Sequence, residues 1–302
     1  MKGTPDAQCR PLQDCHIAEE SLALFSTFVA SQMGLLFTRR QWGMLRRGIC
    51  AAADEFGFRD PEACMHWLMS SSLTREQVET LAGTVTVGET YFWREEKSLD
   101  ALREEVIPAL MRARSGDERH LRIWSAGCSS GEEPYSIAIL LHRMGTALRD
   151  WRVTIHATDI NPRALARARE GIYGEWSFRT TPAWVRNGYF RRRSDGKLEV
   201  IPEIRTMVEF AYLNLADDVY PLLFNNTNAM DLILCRNVLM YFAPELAQKV
   251  VSRFHRCLVA GGWLVVSPCE ISPQLSRASE RETSETWSST RRKAPERRGA
   301  GR

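Results

Sequence analysis

Between residues 121 and 267 short β-rich runs alternate with helical stretches, and this constrains the chain's architecture more than any other feature. The runs are Leu121 to Ser125, Val153 to Thr158, Met207 to Tyr212, Asp231 to Cys235 and Trp263 to Ser267. Helical patterns separate them at Pro134 to Leu148, Pro162 to Glu170 and Pro244 to Val259, the last expected to close at Gly261-Gly262. Strands joined through helices cannot pair as tight hairpins; they cross over into a mostly parallel sheet covered on both faces. The expected class is therefore α/β. One segment, 172–206, breaks the rhythm with aromatics and turn formers. Its Ser194-Asp195-Gly196-Lys197 predicts a hairpin between Tyr189 to Arg193 and Leu198 to Ile201, hence a small antiparallel β insertion.

Upstream the periodicity is helical throughout. Leu22, Phe25, Phe28, Val29 and Met33 recur at three- and four-residue spacings, as do Trp42, Leu45, Ile49, Ala53 and Phe56. Asp60-Pro61 is a helix start, and Thr74-Arg75-Glu76-Gln77 reads as a capping box. Residues 18–84 thus form a small N-terminal helical domain, 85–97 a linker, and 98–272 the sheet domain, opening with a helix near Ser98 to Arg114. Residues 273–302 are almost without apolar side chains and are expected to be disordered.

Composition narrows the classes. The eight cysteines include no Cys-x-x-Cys pair and no neighbouring His at zinc-ligand spacing, so neither a metal site nor a disulfide framework is indicated, and reduced thiols are expected. The first twenty residues lack the apolar run of a signal peptide, and no later stretch approaches membrane-spanning length, which leads to the expectation of a soluble, cytoplasmic protein with no membrane insertion. Net charge is +3, of which residues 275–302 carry +4 (eight Arg/Lys against four Glu), leaving −1 for the remainder. A body that is not basic argues against nucleic acid as partner.

The chemistry-bearing residues gather where strands end. Strand 121–125 runs into Ala126-Gly127-Cys128-Ser129-Ser130-Gly131-Glu132-Glu133-Pro134-Tyr135-Ser136, a small-residue turn that lets a ligand approach the backbone. Glu132 and Glu133 at the helix start disfavour a phosphate and favour a cationic or neutral ligand. The same turn is also compatible with a plain strand-to-helix connection. Asp159, ending the next strand, is placed either to accept ribose hydroxyls or to cap the helix opened by Asn161-Pro162. Asp231 to Cys235 delivers Arg236, Asn237 and Tyr241 to the same edge, without the Pro-Pro-aromatic signature of nucleic-acid amino-methyltransferases. Within Val87 to Glu95, Tyr91-Phe92-Trp93 between Thr90 and Arg94 reads by residue type alone as a packed linker.

Together these segments resemble the CheR-type chemotaxis receptor methyltransferases over roughly Ser21 to Glu270. The match lies in the helical domain, the aromatic-Arg linker, the Gly-Glu-Glu-Pro-Tyr-Ser turn and the Cys-Arg-Asn-Val strand end, in that order. The resemblance implies a Rossmann-like S-adenosylmethionine-dependent methyltransferase that esterifies glutamate side chains of a receptor. It implies that Thr90, Arg94, Gly127, Glu133, Asp159, Asn214, Leu215, Asn237 and Val238 contact S-adenosyl-L-methionine or its product S-adenosyl-L-homocysteine. Arg94, Arg236 and Tyr241 would face the reacting carboxylate. The partner it implies is a methyl-accepting chemotaxis-type receptor with an acidic helical region, and the arginines at 39, 40, 46 and 47, recurring at a seven-residue interval, are expected to make one helix face basic enough to dock on it. A monomer is expected.

The family continues past Ser267-Pro268-Cys269-Glu270 into a last strand, which the polar composition here leads one to expect missing. That keeps a truncated, catalytically impaired member, binding cofactor or receptor without turnover, as an alternative. A nicotinamide oxidoreductase is the weaker rival, since a clean Gly-x-Gly-x-x-Gly is absent.

Overall fold

The computed structural model describes residues 17–86, 88–114, 119–223 and 225–270, and the backbone of strands at 280–284 and 287–291. The chain forms two compact units, 1–86 and 87–302.

The first unit holds four helices, α1 (Glu19–Met33), α2 (Trp42–Glu55), α3 (Pro61–Met69) and α4 (Arg75–Val85). Their boundaries follow from local chemistry. Asp60 accepts the N–H groups of Glu62 and Ala63 with Pro61 in the first turn, and Thr74 and Gln77 close a reciprocal capping box. Leu22, Phe25, Val29 and Met33 of α1 and Leu45, Ile49, Ala52 and Ala53 of α2 are buried. The four arginines do not share one α-helical face. Arg39 and Arg40 lie on a 3-10 turn ahead of α2, and Arg46 is half-buried while Arg39, Arg40 and Arg47 are exposed. The tighter turn shifts the angular register that a seven-residue interval assumes.

The second unit begins with 88–95, followed by α5 (Glu96–Ala101), a π-helical turn (Leu102–Val106) and α6 (Ile107–Ala113). Pro108 offers no N–H to residue 104 and its ring crowds that carbonyl, which explains why the expected continuous helix widens here. The main-sheet strands are β1 (His120–Ala126), β2 (Arg152–Asp159), β6 (Val208–Tyr212), β7 (Met230–Cys235), β8 (Leu258–Val266), β9 (Glu280–Ser284) and β10 (Trp287–Arg291). They lie in the spatial order β6-β2-β1-β7-β8-β10-β9. β10 is antiparallel to both of its neighbours, β8 and β9, and the remaining pairs are parallel. The covering helices include α7 (Glu132–Met144), α8 (Pro162–Glu170) and α11 (Pro244–Cys257). Every residue of β7 is buried, as expected of a central parallel strand.

The insertion carries β3 (Ile172–Tyr173), α9 (Ala183–Tyr189), β4 (Phe190–Arg192), β5 (Leu198–Val200) and α10 (Pro202–Arg205), its strands forming a separate antiparallel sheet in the order β3-β5-β4. The hairpin turn falls at 193–197, where Gly196 takes a positive φ of 80° and the Arg193 N–H donates to the Lys197 carbonyl.

Three expectations need correction. The helix before β8 ends at Cys257, and Gly261 and Gly262 lie inside β8 beside a bulge opposite Met230. A β-carbon at Gly262 would stand 3.1 Å from the Met230 and Asp231 carbonyl oxygens, so two glycines that read as a helix stop serve a close strand approach. The last strand is present, because β10 pairs with β8 from Ser288↔Val266 to Arg291↔Trp263. The polar segment 273–302 is accordingly not wholly irregular. Ladder hydrogen bonds come from the backbone, so the open edge of β8 recruits a polar segment that shows no apolar alternation. Finally, Cys64, Cys128, Cys235, Cys257 and Cys269 are free thiols, but Cys50 is disulfide-bonded, so the expectation of reduced cysteines does not hold there. Among the described residues no helix is long and apolar enough to cross a membrane, and no cluster could hold a metal ion.

Candidate active site at the carboxyl ends of the sheet

β1, β2, β6 and β7 all release their chains at one edge of the parallel sheet, and the predicted site residues of those strands meet there. After β1 the backbone turns through Gly127 (φ 81°), Ser129 (φ 50°) and Gly131 (φ 94°) into α7. A β-carbon on Gly127 would lie 2.5 Å from Val238 Cγ2, so a side chain at 127 is excluded by the loop after β7. The N–H groups of Gly127 and Cys128 both donate to the Thr158 carbonyl, at 2.8 and 2.9 Å, locking the turn to the end of β2.

Asp159 organises the next position. Its carboxylate accepts the Ser129 N–H at 2.7 Å and the Asn161 N–H at 2.8 Å. It does not cap α8; Asn161 does, accepting from Arg163 and Ala164. Burial raises the Asp159 pKa, opposed by the backbone N–H groups of Asn161, Ser129 and Ile160. These backbone bonds do not fill the acceptor sites of the carboxylate, which keeps capacity for a hydroxyl donor. Beside it, the Leu213 N–H donates to the Asp159 carbonyl, which sets Asn214 and Leu215 at the same edge. The Asn214 amide turns into its own loop, accepting from the Ala216 N–H and donating to Asp217, and the Leu215 carbonyl accepts the Tyr220 hydroxyl.

A second cluster joins the linker to β7. Arg236, with only 4% of its side chain exposed, donates to the Arg94 carbonyl at 2.8 Å, to Glu95 at 2.9 Å and to Glu133 at 3.3 Å. Glu133 also accepts the Ser125 hydroxyl at 2.7 Å. Arg236 is therefore committed to two carboxylates and a carbonyl. Arg94 differs: it donates to the Glu89 carbonyl at 3.0 Å and lies over the Tyr91 ring, with no carboxylate partner among the described residues. Its charge opposes the upward shift that burial imposes on the Tyr241 phenol. The Tyr241 hydroxyl, the Thr90 hydroxyl and the Asn237 amide have no hydrogen-bond partner among the described residues.

Residue types alone missed Glu270 and Glu95, and read as facing the ligand an acid, Glu132, whose carboxylate is taken internally. Glu270, just beyond β8, is buried and accepts the N–H groups of Asn237 (2.8 Å), Ser267 (3.1 Å) and Met240 (3.2 Å). It thereby fixes Asn237, which sits at φ 60°, and the 3-10 turn Leu239–Tyr241. Burial raises its pKa against the pull of those N–H groups. Glu95 bridges Arg236 and the Ser267 hydroxyl. Glu132 is buried, its carboxylate taken by Ser130 and Ser177, and burial raises its pKa as well. The available signal for Glu270 was an acid one turn beyond a strand end, which many sequences carry for no such reason.

The linker is also bolted to the insertion. The Phe92 N–H donates to the Ser177 carbonyl, the Trp93 N–H to the Ser136 hydroxyl, and the Phe92 ring packs with Tyr173, Phe178 and Phe190 at centroid distances of 4.8 to 5.0 Å. The Tyr91-Phe92-Trp93 triplet is thus a packed linker and also a scaffold that presents Thr90 and Arg94.

This edge, with the carboxylates of Glu133 and Asp159 around a glycine turn, suits a nucleoside cofactor with a positive centre better than a pyrophosphate. Such a site on such a sheet defines a nucleoside-cofactor-binding α/β enzyme. The family model described as CheR methyltransferase, SAM binding domain matches residues 88–287. A chemotaxis protein methyltransferase of Borreliella burgdorferi is 30% identical over 257 residues, covering 84% of this chain and 89% of that protein. Chemotaxis protein methyltransferase 2 of Vibrio cholerae is 37% identical over 201 residues, covering 67% and 68%. Among solved structures, magnesium protoporphyrin IX methyltransferase from Synechocystis is 13% identical with a TM-score of 0.35, covering 89% of this chain and 97% of that one. The chain belongs to the CheR methyltransferase family. Its cofactor is S-adenosyl-L-methionine, and the match reaching residue 287 lends no support to a truncated, impaired member.

Proposed function

We propose that this chain transfers the methyl group of S-adenosylmethionine to glutamate side chains of a methyl-accepting chemotaxis-type receptor, forming methyl esters. The observation that carries the acceptor is Arg94, a cation at the cofactor edge without a carboxylate partner among the described residues, whose charge acts on the Tyr241 phenol.

When bound, the cofactor supplies an electrophilic methyl on a sulfonium. The residues around it have to hold and align. Asp159 would accept the ribose hydroxyls; the Gly127 backbone, Asn237 and Val238 would line one side, and Thr90, Asn214 and Leu215 the rest. Glu133 places negative charge near the sulfonium and is itself held by Ser125 and Arg236.

A glutamate carboxylate is ionised at neutral pH, so the acceptor requires no general base. It loses its charge as the ester forms, and a carboxylate clamped by two arginines would be stabilised more in the ground state than in the transition state. Arg94 alone as clamp, with Arg236 serving to hold the Arg94 backbone, avoids that loss. Tyr241 would bond the same carboxylate and fix its approach, the gain being alignment for in-line attack. The exposed Arg39, Arg40 and Arg47 are cations that would dock an acidic receptor helix, although Arg39 already meets Glu19 at 3.8 Å and stacks on Trp42. The cytoplasmic side of a receptor, and action as a monomer, fit this reading.

The test pairs binding with transfer. Calorimetric titration with S-adenosylhomocysteine should give saturable binding that Asp159→Ala abolishes. Methyl-labelled cofactor should then label a receptor cytoplasmic fragment, and mild alkali should release the label as methanol. Label stable to alkali would identify another acceptor atom and sink the ester assignment.

A further inference from the structure

Trp176 lies on the 3-10 turn Glu175–Phe178 at the start of the insertion and is 72% exposed, among the most exposed large apolar side chains described. It is not loose. The Arg179 guanidinium lies 4.7 Å from its ring centroid and 3.9 Å from that of Tyr91, and it donates to the Trp176 carbonyl at 2.9 Å. Arg179 further reaches the Thr90 carbonyl and pairs with Glu89 at 3.2 Å, so it is anchored on the linker that presents Arg94. The Tyr91 ring also carries Arg94, at 5.4 Å from its centroid. Cation–ring contacts therefore link Arg94, Tyr91, Arg179 and Trp176.

From this arrangement we infer that Trp176, held on Arg179, is the outer contact for the stretch of the protein substrate that flanks the target glutamate. The inference rests on the function proposed above. A carboxylate seated at Arg94 brings its neighbouring residues over Tyr91 and Arg179, and the next apolar side chain along an extended or helical substrate reaches the Trp176 ring. The indole needs little ordering on binding, because its stacking partner and its backbone carbonyl are already fixed. The charges around it select the same partner. Arg94, Arg179, Arg186 and Arg192 stand against Glu89 and Glu175, an excess of two positive charges facing an acidic chain. The occupant is thus an acidic segment with an apolar side chain next to the methylated glutamate. Trp176 sets the affinity for substrate and takes no part in methyl transfer itself.

The experiment uses the full chain and a soluble cytoplasmic fragment of a methyl-accepting chemotaxis receptor as probe. Trp176→Ala should raise KM for the fragment about ten-fold. Its kcat should stay within about two-fold and its S-adenosylhomocysteine affinity should not move, because its contacts lie outside the cofactor residues. Trp176→Phe, which keeps a ring over Arg179, should recover most of the KM. If the wild-type chain methylates the fragment and Trp176→Ala has the wild-type KM, the platform assignment is wrong while the function stands. If the wild-type chain binds S-adenosylhomocysteine but does not methylate receptor fragments at all, the functional reading goes and this one goes with it.

Discussion

The Arg236 guanidinium and the Glu95 carboxylate meet at 2.9 Å, tying the linker to the end of β7. The same nitrogen, Nη2, also bonds the carbonyl of Arg94, so Arg236 positions an arginine that has no carboxylate partner among the described residues. Arg236→Lys keeps the charge but cannot reproduce the fork. The expected result is a loss of about 3 kcal/mol at most, with weaker S-adenosylhomocysteine binding and slower turnover together. Thermal unfolding and calorimetry check it; an unchanged Kd and Tm would return Arg236 to a direct role on the acceptor.

The Tyr241 hydroxyl has no hydrogen-bond partner among the described residues. Tyr241→Phe should leave S-adenosylhomocysteine affinity and Tm near wild type while lowering kcat by about ten-fold or more, the loss of one hydrogen bond to a charged group. Unchanged turnover would take the phenol out of the reaction.

Glu270 accepts the backbone N–H groups of Asn237, Met240 and Ser267. In Glu270→Gln one carboxylate oxygen becomes an NH₂ that faces donors, leaving buried N–H groups unpaired at a cost of about 1–3 kcal/mol. Because those groups belong to Asn237, Met240 and Ser267, cofactor affinity and kcat should both fall, read by titration and by initial rates.

His156 lies in β2 opposite Trp124 of β1, buried, with no well-formed hydrogen bond at either ring nitrogen among the described residues, the Asn225 backbone offering only a partial one. Burial, aided by the charge of Arg122, pulls its pKa down to about 4. A depressed folded pKa means that the unfolded chain takes up the proton first. This contribution to stability is thus present above the unfolded pKa of about 6.5 and is lost as pH falls toward about 4, with a ceiling near 3 kcal/mol. Urea unfolding of wild type at pH 7 and pH 4.5 should therefore differ more than that of His156→Leu. Equal pH sensitivity in the two would show that other groups dominate acid destabilisation.

Much of this was legible in the residues because it is local. Asp60, Thr74 and Gln77 cap helices through atoms three positions away or fewer, and the alternation from Leu121 onward specifies a parallel sheet whatever its strand order. What escaped was non-local or ambiguous in kind. Arg236 reads as a free cation until Glu133, 103 residues earlier in the chain, is brought beside it. Gly261 and Gly262 satisfy a helix stop and a β-bulge equally well, and only the approach of Met230 and Asp231 decides between them. The strands at 280–284 and 287–291 carry no apolar alternation, since their pairing rests on backbone groups common to every residue.

The position of β10 between β8 and β9 has a consequence for synthesis. The strand that completes the ladder of β8 is translated after every catalytic element, so a nascent chain carries its whole cofactor edge before that flank is shielded. Until then the exposed ladder is a template for any extended segment nearby, on the same polysome or on another molecule. Shielding it with a polar hairpin, not an apolar one, limits the chance that the hairpin itself becomes the sticky partner while it waits to dock.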